Sequence, residues 1–297
     1  MSVTSFISNF LLGYTALTVA LYMISFVVPR AAFVARSLAT YASGCLASFI
    51  GAVVSIIFTL LGYQQIAQWF VARIFKYIML ATTGVTFEID DPNDYLSKTR
   101  PAIFIANHQT ELDVLLLGCM FPKYCSVTAK SSLKNVPFLG WFMRASGTIF
   151  IDRKNSKDAR EAMKGAADEI QKKKQSVFMF PEGTRSYAKE PGLLPFKKGA
   201  FHLAVQAGVP IVPVVVSNYS HILFVKGLVF RSGSIPVKIL EPISTKGLTA
   251  ADVEELTRAT RDSMLNEITT LTAKARGQPI AVPASSKPSA SSTAIDP

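Results

Sequence analysis

Hydrophobic and polar positions divide the chain unevenly. From position 1 to position 72 the only charged side chains are Arg30 and Arg36. The first apolar run, 3–28, is long enough, at about 1.5 Å per helical residue, to cross a hydrocarbon core of about 30 Å, and so predicts a membrane helix. No positive side chain precedes Arg30, so the run lacks the basic leader of a cleaved signal peptide and reads as retained. A second uncharged stretch covers 37–72, most apolar at 41–61, before Gln64, Gln65 and Gln68 make it polar. Buried core helices are the alternative for both runs, but so long a stretch with so little charge weighs against it. The pair either spans the bilayer or dips into one leaflet as a hairpin, with 29–36 as the connection. The pattern leaves both topologies open.

Beyond Arg73 short apolar runs alternate with amphipathic segments. Strands are predicted at 86–89, 102–106, 148–151, 176–180, 211–216 and 237–240, and helices at 111–120, 156–174, 198–207 and 250–275. Thr249 with Asp252 three residues on resembles a capping box before the last helix. Strands alternating with helices predict an α/β sandwich. After Arg276 the chain turns to Pro, Ser and Ala without apolar period, which predicts a disordered tail. The expected organisation is a membrane-embedded region over 1–72, a catalytic domain over 73–276 and a tail over 277–297.

Composition adds a sign to this picture. The 297 residues carry 31 Lys and Arg against 20 Asp and Glu, a net charge of +11, yet charged residues make up only 17% and hydrophobic residues 49%. Mean hydropathy is +0.32. A basic chain this apolar meets an anionic membrane surface or anionic substrates more readily than nucleic acid, which is not expected as a partner. Cys45, Cys119 and Cys125 are too few and too scattered for a disulfide framework or a cysteine-built metal site.

Chemistry concentrates after two predicted strands. The run A-I-F-I-A at 102–106 leads into N-H-Q-T-E-L-D at 107–113, which delivers His108 and then Asp113. On one regular helix that offset turns the side chains roughly 140° apart. They meet if His108 sits in the strand-to-helix turn and Asp113 one turn into the helix. The carboxylate then fixes the imidazole tautomer and the other ring nitrogen acts as general base. An unrelated pair, a histidine at a helix start and a solvated aspartate, is the alternative from spacing alone. The chain has no G-x-S-x-G nucleophile elbow, and Cys119 and Cys125 read as packing residues. With His202 and His221 isolated from other ligand types, a zinc site is not expected. A histidine–aspartate pair without its own nucleophile suggests that the substrate supplies one.

The second cluster is F-P-E-G-T-R-S at 180–186, where Arg185 suits a bidentate phosphate contact. Arg153 ends a third strand, in G-T-I-F-I-D-R at 147–153, and Lys130, Lys134, Arg144, Lys197 and Lys198 add positive charge to the connections.

These motifs together resemble those of the glycerol-phosphate and lysophospholipid acyltransferase family. His108 and Asp113 match its H-x-x-x-x-D, 147–153 its second motif, 182–185 its E-G-T-R, and the apolar 209–214 its fourth, in that order. Within the family, N-H-Q-T-E-L-D with F-P-E-G-T-R-S is most similar to eukaryotic 1-acylglycerol-3-phosphate acyltransferases, fungal ones in particular. The resemblance implies a mixed sheet flanked by helices behind an N-terminal two-helix membrane region. It implies transfer of an acyl group from acyl-CoA to the sn-2 hydroxyl of lysophosphatidic acid, with His108 as base, no acyl-enzyme, and no metal or other cofactor. Glu182, Gly183, Thr184 and Arg185 are then assigned to the acceptor phosphate, with Arg153 and Lys130 as further substrate contacts. Segment 209–214 is structural or lines an acyl site. The implied location is the endoplasmic reticulum membrane, or a lipid droplet, with the site facing the cytosol. Arg73 and Lys76 agree with that orientation, Arg30 and Arg36 oppose it if both segments span but not if they form a leaflet hairpin, and Asn218-Tyr-Ser220 is a sequon that a cytosolic domain leaves unmodified. Another acceptor, or a non-catalytic lipid-binding protein, are the competing readings.

Overall fold

The structure, a computed structural model, describes residues 2–152 and 156–279. The chain begins with three helices, α1 (Val3–Ile24), α2 (Pro29–Leu60) and α3 (Gln64–Thr83). Strand β1 (Val85–Asp90), a short helix α4 (Tyr95–Lys98), β2 (Ile103–Ala106), α5 (Asp113–Met120) and β3 (Cys125–Lys130) follow. Next come α6 (Leu139–Ala145), β4 (Ile149–Ile151), α7 (Ser156–Lys173), β5 (Ser176–Met179), α8 (Gly199–Ala207) and β6 (Ile211–Val216). The chain then forms the small hairpin β7 (Leu223–Phe224) and β8 (Val229–Phe230), β9 (Gly233–Ile239) and the long α9 (Val253–Arg276).

Seven strands form one sheet in the order β1-β9-β6-β2-β5-β3-β4. From β6 to β4 all neighbours run parallel, and β9 joins β6 antiparallel with β1 parallel to β9. Every residue of β2, β5 and β6 is buried, the near-continuous apolar reading of a sheet covered on both faces. On one face Ala102, Phe104 and Ala106 pack with Met79 of α3 and Leu115 and Leu116 of α5. On the other, Ile103 and Ile105 pack with Ile170 of α7, Phe201 of α8 and Met264 and Ile268 of α9. This is the predicted mixed sheet flanked by helices, and positions 211–214 of segment 209–214 enter it as part of central strand β6.

The N-terminal region differs from the pattern-based expectation. Segment 29–36 is not a connection: α2 starts at Pro29, a residue whose fixed φ and missing N–H suit a first helical turn, so Arg36 lies within the helix. Its guanidinium donates to the carbonyls of Thr83 (3.1 Å) and Phe230 (3.3 Å), which ties α2 to the sheet domain. Position 72 falls inside the continuous helix α3, so no structural break marks the expected boundary there. The Thr249–Asp252 pair forms, with Thr249 N donating to Asp252 Oδ2 at 2.7 Å, but the helix starts only at Val253. Of the expected tail, 280–297 lie outside the described residues.

Candidate active site

The parallel strands β2, β5, β3 and β4 all finish at one edge of the sheet, the edge where open α/β folds bind ligands. Asn107 extends β2 past its last residue: its Nδ2 donates to Val216 O (3.0 Å) and its Oδ1 accepts from Val216 N (2.8 Å). His108 is therefore held at the rim of the sheet, and Gln109 Nε2 fixes the following turn by donating to Ser217 O at 2.9 Å.

Five residues later the turn returns Asp113 to His108, at the first residue of α5 rather than one turn inside it. His108 Nδ1 and Asp113 Oδ2 are 2.7 Å apart. The same oxygen accepts from the backbone N–H of Gln109 (2.6 Å) and Thr110 (3.2 Å), and Oδ1 accepts from the hydroxyl of Tyr219 at 2.7 Å. Burial and the adjacent carboxylate push the Tyr219 phenol well above its ordinary range, so it stays a donor. The other partners of the Asp113 carboxyl all donate to it, which suits Nδ1–H of His108 as a fourth donor and leaves Nε2 on the other side of the ring. Asp113 is 1% exposed and the His108 side chain 16%. The imidazole also stacks on Phe180, ring centres 4.2 Å apart.

The second cluster braces the first. Glu182, at the end of β5, accepts from His108 N through Oε1 (2.7 Å) and from Leu194 N through Oε2 (2.9 Å). Both oxygens are committed to backbone and the side chain is buried. Glu182 therefore holds the backbone of His108, with both oxygens already bonded, where the resemblance implies a contact in the acceptor phosphate region. Burial raises its pKa, an effect opposed by the two N–H donors. Gly183 takes φ +70°, a conformation that disfavours side chains, and a Cβ there would meet the Lys197 side chain at 2.9 Å. Ser186 N and Tyr187 N donate to the carbonyls of His108 (2.9 Å) and Gln109 (3.1 Å), so the two motifs are joined backbone to backbone.

Arg185 is half-exposed, its Nη1 2.8 Å from Glu111 Oε1, and Tyr187 donates to the same oxygen at 2.6 Å. Thr184 is exposed beside it, and Lys130 is exposed at the end of β3. Arg153 lies outside the described residues. A cavity of about 310 Å³ adjoins the pair, lined among others by Gln109, Thr110, Tyr187, Tyr219 and Leu223. A larger cavity of about 540 Å³ opens near the starts of the strands, around Trp69, Arg73 and Ser176, and touches none of these groups. Among the described residues no cluster of His, Cys, Asp and Glu suits a metal ion.

Residues 89–217 match the acyltransferase family model. A 1-acyl-sn-glycerol-3-phosphate acyltransferase of Saccharomyces cerevisiae is 46% identical over 226 residues, 76% of this chain and 73% of that one. The human 1-acyl-sn-glycerol-3-phosphate acyltransferase beta is 42% identical over 68% of this chain and 72% of its own. The chain belongs to the acyltransferase family. The crystal structure of a 1-acyl-sn-glycerophosphate acyltransferase from Thermotoga maritima shares the acyltransferase fold, with a TM-score of 0.62 at 24% identity over 88% of this chain and 97% of that one.

Within this acyltransferase, Tyr219, Asn107, Gln109 and Phe180 shape the histidine's surroundings without having been singled out by the motifs. Tyr219 stands 106 positions from Asp113, and nothing in the string N-Y-S after β6 announces the contact. Phe180 was adjacent to a motif and legible only as the end of an apolar strand.

Proposed function

We propose that the chain transfers an acyl group from acyl-CoA to the sn-2 hydroxyl of lysophosphatidic acid, giving phosphatidic acid. The observation that carries the chemistry is the His108–Asp113 pair, with Nδ1 engaged by the carboxylate and Nε2 on the opposite side of the ring. Nε2 takes the hydroxyl proton as the alkoxide attacks the thioester carbonyl. Asp113 stabilises the imidazolium, which returns the proton to the departing CoA thiolate. The acceptor hydroxyl is the nucleophile, so no acyl-enzyme forms. Cys125 supports this by its place: it is buried at the start of β3, away from the rim, and burial pushes its thiol well up. No metal or other cofactor is needed.

For the acceptor phosphate, which carries about two negative charges near neutral pH, we propose Arg185, with Thr184, Gly183, Lys130 and Arg153 around it. The phosphate takes Arg185 from Glu111. Charge and burial argue for leaving Glu182 out of that set.

We place α1 and α2 in the membrane. α1 has no buried residue, and Phe6, Phe10, Leu12, Met23 and Phe26 are exposed, a surface that water alone would not favour. The donor is cytosolic, so the site faces the cytosol, on the endoplasmic reticulum or a lipid droplet. A buried Asn218 agrees: its Nδ2 donates to Ala188 O and Glu190 O, and its Oδ1 accepts from Arg276, so a glycan would have to break that cluster.

Release of CoA thiol by purified protein, measured across lysophosphatidic acid, glycerol 3-phosphate and phosphodiester lysolipids, tests donor and acceptor together. His108→Ala should lower the rate by about 10²–10⁴, the usual worth of a general base, with membrane association retained. Near-normal transfer by that variant would remove His108 from the mechanism, and release only with another acceptor would replace the substrate.

A further inference from the structure

The segment between β3 and β4 leaves the sheet at the rim that carries His108, and it presents apolar surface outward. Val136 is 40% exposed, Phe138 38% and Trp141 54%. The rings are held rather than loose. Phe138 packs edge-on against Trp141 (5.1 Å) and against Phe49 of α2 (5.6 Å). The turn beneath is closed by Gly140 N donating to Val136 O at 2.7 Å and Phe142 N to Phe138 O at 2.8 Å. Phe138 adopts φ 59°, ψ −54°, a conformation rare for a residue with a side chain.

Two observations identify what covers this surface. Through Phe49 it is continuous with the exposed apolar face of α2, where Leu46, Val53, Ile56 and Ile57 are also uncovered. Its charge has one sign: no acidic residue occurs between Asp113 and Asp152, while Lys130, Lys134 and Arg144 are exposed around it. Amphipathic aromatics beside cations are the composition of a segment lying at the boundary between lipid headgroups and acyl chains.

We propose that Val136–Trp141, with Lys134 and Arg144, is a third membrane-inserting element, belonging to the catalytic domain itself and docking on an anionic lipid surface. It rests on the membrane reading of α1 and α2 given above. Together with the α2 face it makes two-sided contact, which sets the rim carrying His108 level with the bilayer surface, where a lysolipid acceptor resides.

The chain has two tryptophans, so Trp69→Phe leaves Trp141 as the only one; Trp69→Tyr serves if phenylalanine destabilises that site. The full chain is reconstituted into vesicles of phosphatidylcholine and phosphatidylglycerol, with or without bromine on the acyl chains. The expected result is a blue-shifted emission, quenched several-fold more strongly by bromine near the headgroup end than by aqueous iodide. A chain that floats with the vesicles while Trp141 emits as a hydrated indole, quenched by iodide and not by bromine, overturns the third element and leaves the helical anchor standing. A chain that does not float overturns both.

Discussion

Asp113 accepts four hydrogen bonds where water scarcely reaches, and that saturation matters as much as its distance to His108. A buried carboxylate is costly unless its lone pairs are filled, and here backbone donors, a phenol and the imidazole fill them. Glu182 repeats the device one step back, fixing the backbone N–H of His108. Glu182→Gln keeps an acceptor for His108 but turns an amide N–H₂ toward the N–H of Leu194. Loss of one charged hydrogen bond, at about 1.5–3 kcal/mol, should reduce kcat by at least tenfold and leave the acceptor KM nearly unchanged. A raised KM with kcat kept would instead put Glu182 on the phosphate. The sign of its pH effect follows from burial. With the folded pKa raised, the folded chain holds a proton that the unfolded chain has already lost, so stability declines as pH rises through the interval between the two values. Turnover moves the other way, because protonating Glu182 weakens its hold on His108. The raised pKa moves the loss of the Glu182 carboxylate to higher pH than for an ordinary glutamate, so Glu182→Gln should remove one component of the acid-side fall in kcat, as a pH profile would register. At this scale the histidine and aspartate were legible because one short segment contains both. The role of Glu182 was not, since its partners are backbone N–H groups with no signature of their own.

Elements were legible where burial is two-sided or periodicity uninterrupted. β2, β5 and β6 read as apolar runs because both faces of the sheet are covered. β3 did not, since C-S-V-T-A-K alternates small polar residues that are satisfied internally: Gln175 Nε2 donates to Ser126 Oγ (3.3 Å) and Val127 N to Gln68 Oε1 (2.9 Å). α3 was obscured by charge, since Arg73 and Lys76 begin midway along a helix whose first half looks like membrane sequence. α2 conceals a finer order. Ala31, Ala35, Ala39, Ser43, Ala47, Gly51 and Ser55, every fourth residue, form its buried stripe, and their small size lets neighbouring helices approach closely. A Cβ on Gly51 would lie 3.0 Å from both Phe142 of α6 and Val71 of α3. Gly51→Val should therefore destabilise by about 1–3 kcal/mol through overpacking, seen as a lower Tm in detergent. Gly44→Val, on the same helix but with nothing within 4 Å of the added Cβ, is the control and should leave Tm close to that of the parent.

At the scale of the molecule, hydropathy drew a line at 72 that the fold does not observe. The charge-poor region contains two physically different things: α1, which buries none of its residues, and α2 with the first half of α3, which are part of the domain's own packing. Gln68 alone links α3 to β3 through Val127, to Ser146 (3.2 Å) and to Thr148 (3.0 Å), while Gln64 Nε2 donates to Ala145 O at 2.8 Å. Two truncations should consequently behave in opposite ways. A chain starting at Pro29 loses an apolar helix without buried residues, whose side-chain links to the rest include Tyr14 to Leu38 and Tyr22 to Thr82. It should remain monodisperse in detergent, unfold cooperatively near the temperature of the parent, and partition less completely into vesicles. A chain starting at Arg73 loses half of α3 and uncovers the sheet face around Met79, Leu115 and Phe178 to water and to other copies. It should aggregate or fail to unfold cooperatively in the same detergent, and lose acyl transfer although every motif residue is present. Size-exclusion profiles, thermal unfolding and CoA release on the two chains distinguish these outcomes. A stable, active monomer from the shorter chain would restore the boundary at 72 and reduce α2 to an anchor.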